Sequence, residues 1–373
     1  MRIYWFWPFV HTEDLVVPDA VPREGDSLVL HTMRGRVADD ELRRGRVEVL
    51  PTLATVGDER ESSLRWFAAR STSYAARSWQ RHRALRNEAF DICHIVFLNY
   101  FTDWLDLRLL ARRQPLVFEV HDVSPHESRL PQRLEHALLG MEYSAPGRII
   151  VRHPLVKAAL VEQFDVDAGR VDVVPWHVPV VAARESDSPS DRHQPTVLFF
   201  GTLRRNKGVE VLLRAIDQLR DRTDLRFVFA GRGAADIEQA IREARARDAR
   251  ITFDHGYVSA ERKHDWYKEA DVVALPYTEF QSTSAVLCDA YSFRVPVVAS
   301  DVGALGATVR DDGTGWVVPA GDADALAGAL LQAVDDAPAL RAAGRRAAAV
   351  AAERTPAAVG ACLRQLYDRV LSS

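Results

Sequence analysis

Residues 196–208 read TVLFFGTLRRNKG. Five β-forming residues run into Gly201, three cations follow at Arg204, Arg205 and Lys207, and Gly208 opens a helix-period segment. In that segment Val209, Leu212, Leu213, Ile216 and Leu219 fall on one helical face. A strand, a glycine, cations and a helix N-terminus, in that order, make room for phosphate, because free backbone N–H groups and the helix dipole both favour negative charge. Two adjacent anions need several donors at once, so the stretch reads as a nucleotide-diphosphate site.

Working outward, apolar β-like runs alternate with helical patterns along the chain. Before the middle they are RIYWFW, RVEVL, DICHIVFL, PLVFEV, RIIV and VDVV; after it they are TVLFF, LRFVFA, ITFD, DVVALP, VPVVAS and GWVVP. Continuous apolar strands separated by helices imply parallel sheets covered on both faces. The polar run AARESDSPSDRHQ reads as a linker. The expected division is an α/β domain over 1–181, a linker over 182–195, a second α/β domain over 196–352 and an amphipathic helix over 353–373. Ligands of such doubly wound sheets sit beyond the carboxyl ends of the strands, which is where the polar motifs fall.

The chain has 373 residues, 47% of them hydrophobic, and a formal net charge of -4. That charge argues against a general nucleic-acid binder. Cys93, Cys288 and Cys362 are far apart and form no metal spacing, which fits reduced thiols in a cytoplasmic protein. No apolar run is long enough to span a bilayer, and MRIYWFWPFV does not read as a signal peptide.

The chemistry-bearing motifs lie mostly in the second half. In FAGRGAAD, Gly231 and Gly233 permit close backbone approach by a ligand; Asp236 stands where a dinucleotide fingerprint needs its third glycine, although Asp254 could serve as a ribose acid. HGYVS presents Tyr257 and backbone groups to a base edge. In QSTSAVLCDA, Ser282, Thr283 and Ser284 precede a helical run, so their hydroxyls and N–H groups can both cap the helix and bind phosphate. Asp289, on that helix, can accept both hydroxyls of a ribose.

Taken together, GTLRRNKG, FAGRGA, HGYVS, ADVVALPY, QSTSAVLCDA, FRVPVVAS and GTGWVVPAGD resemble the nucleotide-sugar domain of glycosyltransferase family 4 over about 120 residues. The resemblance implies the GT-B fold, two Rossmann-like domains facing across a cleft with a C-terminal helix crossing back to the first. It also implies a retaining, metal-independent transfer of a sugar from a nucleotide-diphosphate sugar (UDP or GDP) to a carbohydrate, lipid-linked or small-molecule acceptor, with no cofactor. By position, Arg204 and Lys207 neutralise the diphosphate, and Gly201, Thr202, Gly231, Gly233, Tyr257, Val258, Ser282, Thr283, Ser284, Ala285, Val286 and Asp289 hold the donor. The family usually has E-x7-E at the helix start; Gln281 and Asp289 occupy those places here, so an uncharged amide faces the donor sugar. In the first half PLVFEVHDVSPHE resembles the strand that ends in a histidine near the reacting centre, which makes His121 the candidate and His126 a second. A nucleotide-sugar epimerase, a non-catalytic sugar-nucleotide sensor and an NAD(P)-dependent dehydrogenase are the rival readings.

Two further segments stand out. Trp5, Trp7 and Phe9 could be strand core or an aromatic lip stacking on a sugar ring. Residues 62–90 carry Arg65, Arg70, Arg77, Arg81, Arg83 and Arg86 with interleaved Trp66, Phe67, Tyr74 and Trp79. They read as a solvated basic helix face or as a peripheral membrane contact.

Overall fold

The structure, a computed structural model, describes residues 1–10, 12–53, 64–96, 104–124, 131–181, 194–282 and 284–372. Most of the expected linker, together with His126 and Thr283, lies outside the described residues. The chain divides into two compact units, Met1–Pro175 with Pro356–Ser373, and Trp176–Thr355.

The first unit is built on β1 (Arg2–Phe6), β2 (Ser27–Met33), β3 (Arg43–Arg44), β4 (Val47–Leu53), β5 (Ile92–Ile95), β6 (Leu116–Val120), β7 (Arg148–Val151) and β8 (Val171–Val173). Their spatial order is β3-β4-β2-β1-β5-β6-β7-β8, parallel except for the β3–β4 pair. The strand β2 was absent from the sequence reading. SLVLHTM holds His31 and Thr32 in a run that hydropathy alone does not mark, yet both side chains are buried. Tyr4 Oη bonds His31 Nδ1 at 2.6 Å and His31 Nε2 bonds Thr52 Oγ1 at 2.8 Å, so the polar atoms are satisfied inside the sheet.

The same polar layer removes two arginines from the expected solvated basic face over 62–90, while Arg83 and Arg86 stay exposed. Residues Leu64–Asn87 form a helix, but Arg77 and Arg81 are buried. Arg81 pairs with Asp106 and lies 4.4 Å from the Phe6 ring centroid, while Arg77 lies 4.1 Å from that of Tyr74. The side chains of Arg65, Trp66, Phe67 and Arg70 fall outside the described residues. Trp5 belongs to the core: it is buried and stacks on His94 at 4.6 Å between centroids. Trp7 packs against that core at 6.4 Å from Trp5.

The helix Pro356–Ser372 packs against helix Val16–Ala20 of the first unit. Val359, Leu363, Leu366 and Tyr367 enter the same core cluster as Ile3, Trp5 and Ile92. Tyr367 Oη bonds His94 Nδ1, a buried anchor between the last helix and a central strand.

The second unit has β9 (Thr196–Phe200), β10 (Arg226–Gly231), β11 (Ile251–His255), β12 (Val272–Leu275), β13 (Val297–Ser300) and β14 (Gly315–Val318). All are parallel, in the order β11-β10-β9-β12-β13-β14. The chain winds one way from β9 through β11, then returns to the other side of β9 at β12. That reversal opens a crevice at the carboxyl ends of β9 and β12. On helix Val209–Gln218 the residues Val209, Val211, Leu212, Ala215 and Ile216 are buried against the sheet, which fixes the helix that starts beside this crevice.

Candidate functional site

Four chain segments meet at the reversal point of the second sheet. Gly201, with φ of 116°, follows β9; Gly231, with φ of 148°, closes β10. Both conformations are disfavoured for side-chain-bearing residues. A Cβ on Gly231 would strike the carbonyl oxygen of Gly201, and one on Gly233 would strike that of Leu203. The close approach these glycines allow is therefore used by neighbouring backbone. The Gly233 N–H is taken by Glu238 Oε1 at 2.9 Å, so Gly233 shapes the turn. Gly201 faces helix Ala285–Ser292: a Cβ there would lie 3.4 Å from Val286 Cγ2.

The cations of 204–207 separate in the fold. Arg204 is exposed, with an extended backbone. Arg205 pairs with Asp236. Lys207 turns toward the loop after β12, its Nζ 3.7 Å from the Tyr277 ring centroid and 4.5 Å from that of Phe280. Gly208, with φ of 69°, leaves no room for a Cβ against the Pro276 carbonyl, and Asn206 O accepts from Thr278 N at 3.0 Å. These contacts fix Lys207 next to the 277–284 loop. Tyr277 Oη in turn bonds Ser284 Oγ at 3.0 Å. Burial pushes the Tyr277 phenol up to about 12, although the Ser284 hydrogen bond opposes the rise, so it stays protonated at neutral pH.

Ser284 is the N-cap of helix Ala285–Ser292; its hydroxyl does not cap the helix, and its carbonyl accepts from Leu287 N at 3.0 Å and Cys288 N at 3.3 Å, so the N–H groups of Ala285 and Val286 are the ones at the open end. Ser282 and Ser284 are buried, while Ala285 is exposed and Val286 half-buried. Gln281 is held through its backbone, whose carbonyl accepts from Ala304 N at 3.1 Å. Asp289, half-buried one turn inside the helix, pairs with Lys263 Nζ at 3.4 Å. Tyr257 is 83% exposed beyond β11, with Val258 packed on the core beneath it. Thr202 is exposed directly after Gly201.

Residue-type reasoning missed Tyr277, Phe280 and Lys263. An aromatic after a strand reads as packing, and Lys263 in AERKHDWYKE reads as a solvated helix cation. Only the tertiary contact of Lys263 with Asp289 gives it meaning. Asp254, weighed as a ribose acid for a dinucleotide, is held by Trp266 Nε1 at 2.6 Å and Arg262 Nε at 3.1 Å.

In the first unit, His121 follows β6. Its Nε2 lies 3.0 Å from the Val96 carbonyl oxygen and 3.3 Å from Glu119 Oε1. Glu119 is buried, paired with Arg152 and 3.6 Å from His94 Nε2. Burial alone would raise the Glu119 carboxyl, but Arg152, with His121 and His94, holds it well below the usual carboxylate range. Burial lowers the His121 imidazole despite the opposing pull of Glu119. His121 thus lies against a buried carboxylate at the carboxyl end of a central strand.

Two Rossmann-like parallel sheets, the second carrying glycines, a lysine and a helix N-terminus at its reversal point, define the class: this is a GT-B fold of the glycosyltransferase kind. The sequence model described as "Glycosyltransferase Family 4" matches residues 22–181, and the one described as "Glycosyl transferases group 1" matches residues 194–336. The chain belongs to glycosyltransferase family 4. It is 32% identical to a D-inositol 3-phosphate glycosyltransferase of Xylanimonas cellulosilytica over 72% of this chain and 70% of that one. It is also 32% identical to the protein of that name from Arthrobacter sp. over 64% of this chain, a match that spans only 61% of the relative. Among solved structures, sucrose-phosphate synthase from Thermosynechococcus elongatus aligns at a TM-score of 0.76 with 19% identity, covering 100% of this chain and 99% of that one. Anabaena HepE in complex with UDP aligns at 0.70 with 15% identity and 99% of each chain covered.

Proposed function

We propose that this chain transfers a hexose from a UDP- or GDP-sugar to a hydroxylated acceptor, with retention at the anomeric carbon and without a metal ion. One observation carries the donor reading. Lys207, the Tyr277–Ser284 hydrogen bond and the N-terminus of helix Ala285–Ser292 converge at the reversal point of the second sheet. Negative charge builds on the diphosphate as the glycosidic bond breaks, and an ammonium group with a preorganised helix N-terminus stabilises it before it forms. In this reading Arg204 adds charge from the exposed rim, Asp289 takes the ribose, Gln281 hydrogen-bonds the donor sugar and Tyr257 meets the base. His121 contacts the sugar near the reacting centre. The relatives' name, D-inositol 3-phosphate glycosyltransferase, supports a small polyol or its phosphate as the acceptor class. Among the described residues Cys93, Cys288 and Cys362 form no disulfide, which supports a reducing, cytoplasmic setting.

A thermal-shift panel of UDP-, GDP-, TDP- and ADP-sugars tests the donor site, because a ligand that binds only the folded state raises the midpoint. A shift with one base, followed by acceptor-dependent release of that nucleoside diphosphate, is expected. No shift with any member, or an altered donor sugar formed without acceptor, would overturn the transferase reading.

A further inference from the structure

Five of the seven large apolar side chains exposed among the first unit's described residues share one helical layer; the other two, Val173 at 39% and Leu371 at 43%, lie on β8 and the last helix. The five, Trp79, Leu105, Leu109, Leu134 and Leu155, stand 61%, 51%, 40%, 49% and 49% exposed. All five lie on helices Leu64–Asn87, Trp104–Ala111, Gln132–Ser144 and Pro154–Phe164. These helices follow β4, β5, β6 and β7, so right-handed crossovers place them side by side on one face of the sheet. The side-chain contacts agree. Arg81 and His82 of the first helix engage Asp106 of the second, and Arg108 Nη2 of the second bonds Ser144 Oγ of the third at 3.4 Å.

The charges of this layer are sorted by sign. On its first three helices every described carboxylate, Asp106, Glu135 and Glu142, is buried. The exposed charged groups there are Arg83, Arg86, Arg108 and Arg133, continued by Arg112 and Arg113 just past the second helix. Exposed Glu88, next to the first helix, is paired with Arg2. The fourth helix is mixed, with half-buried Lys157 and exposed Glu162. An ordinary solvated helix layer shows both signs outward. Here, in a chain whose formal net charge is -4, the outer face combines arginines with leucines and a tryptophan.

We propose that this helical layer docks on an anionic phospholipid bilayer. Arginines meet headgroup phosphate, leucines enter the acyl boundary, and tryptophan suits the interface itself. The layer would lie on the surface, since among the described residues no helix is long and apolar enough to cross a membrane. This extends the basic-segment expectation from one helix to three. It does not depend on the transfer reaction.

Sedimentation of the full chain with vesicles decides the matter. Binding is expected to vesicles rich in phosphatidylglycerol, to be more than about tenfold weaker on pure phosphatidylcholine, and to fall with added salt. The variants Arg108→Glu/Arg112→Glu/Arg133→Glu and Trp79→Ser/Leu105→Ser/Leu109→Ser should each lose about tenfold or more on the anionic vesicles. Their thermal midpoints and nucleotide-sugar shifts should remain those of the parent, which separates this outcome from failure of the donor site. No binding to any vesicle, equal binding to both lipids, or variants that bind like the parent would overturn the proposal.

Discussion

At the scale of single residues, the donor site divides side chains that were legible in the sequence from those that were not. Gly201 and Gly208 could be marked because they bracket the cations between a strand and a helix, and the fold gives both a positive φ. Lys207 could be marked because a cation next to a strand–helix turn is chemically pointed. Its aromatic neighbours could not, since Tyr277 and Phe280 lie some seventy positions away and meet it only through the β9–β12 pairing. The motif gives Arg204 and Lys207 the same role, but in the fold one is an exposed rim group and the other is fixed by ring contacts. Replacing Lys207 by alanine is expected to lower turnover by about two orders of magnitude or more, which corresponds to ~3 kcal/mol of lost transition-state stabilisation. Turnover of Arg204→Ala is expected to fall by a similar factor, because its exposed guanidinium adds charge at the diphosphate from the rim. Steady-state rates at saturating donor measure both. Near-parental turnover in the two variants together would remove the diphosphate assignment.

At the scale of elements, strands were legible where hydropathy was continuous and lost where a buried strand carried polar residues. The strand β2 escaped notice because His31 and Thr32 interrupt its apolar run. The fold tolerates them because Tyr4, Thr52 and the backbone of Pro8 satisfy their polar atoms. That solution has a pH cost. Burial, with a further contribution from Arg81, pushes His31 down to about 4 from its ordinary 6.5. Between those values the unfolded chain binds a proton that the folded chain does not, so stability rises with pH across the window. The contribution is complete above about 6.5 and lost as pH falls to about 4, roughly 3 kcal/mol in all. Urea titrations of parent and His31→Gln at steps across this range should show a steep loss for the parent and a flatter curve for the variant. Parallel curves would mean that His31 is not the responsible group. The last helix offers a second test. Gly360 lies against helix Val16–Ala20, where an added Cβ would stand 2.7 Å from Ala20 Cβ. Gly360→Val should cost at least about 1–3 kcal/mol by overpacking, seen as a lower urea midpoint.

At the scale of the whole molecule, the alternation of strands and helices disclosed two doubly wound units, but not the chain path that builds them. The last eighteen residues cluster with the first unit, although nearly half the chain intervenes. Apolar periodicity says that such a helix needs a partner without saying which. What identifies the partner is the buried bond from Tyr367 to His94 and the shared core around Trp5. The second unit, by contrast, was legible almost completely, because its strand ends carry the glycines and cations that phosphate chemistry demands. This asymmetry predicts where a donor acts. Hydrogen exchange of the full chain with and without a saturating nucleoside diphosphate should show the largest slowing in residues 200–209, 256–259 and 281–290, around the carboxyl ends of β9, β11 and β12. Amides at the opposite ends of those strands should change little, because they are already protected by the sheet. Protection confined to β13 and β14, or to the helical layer of the first unit, would place the nucleotide elsewhere and detach Lys207 from the chemistry assigned to it.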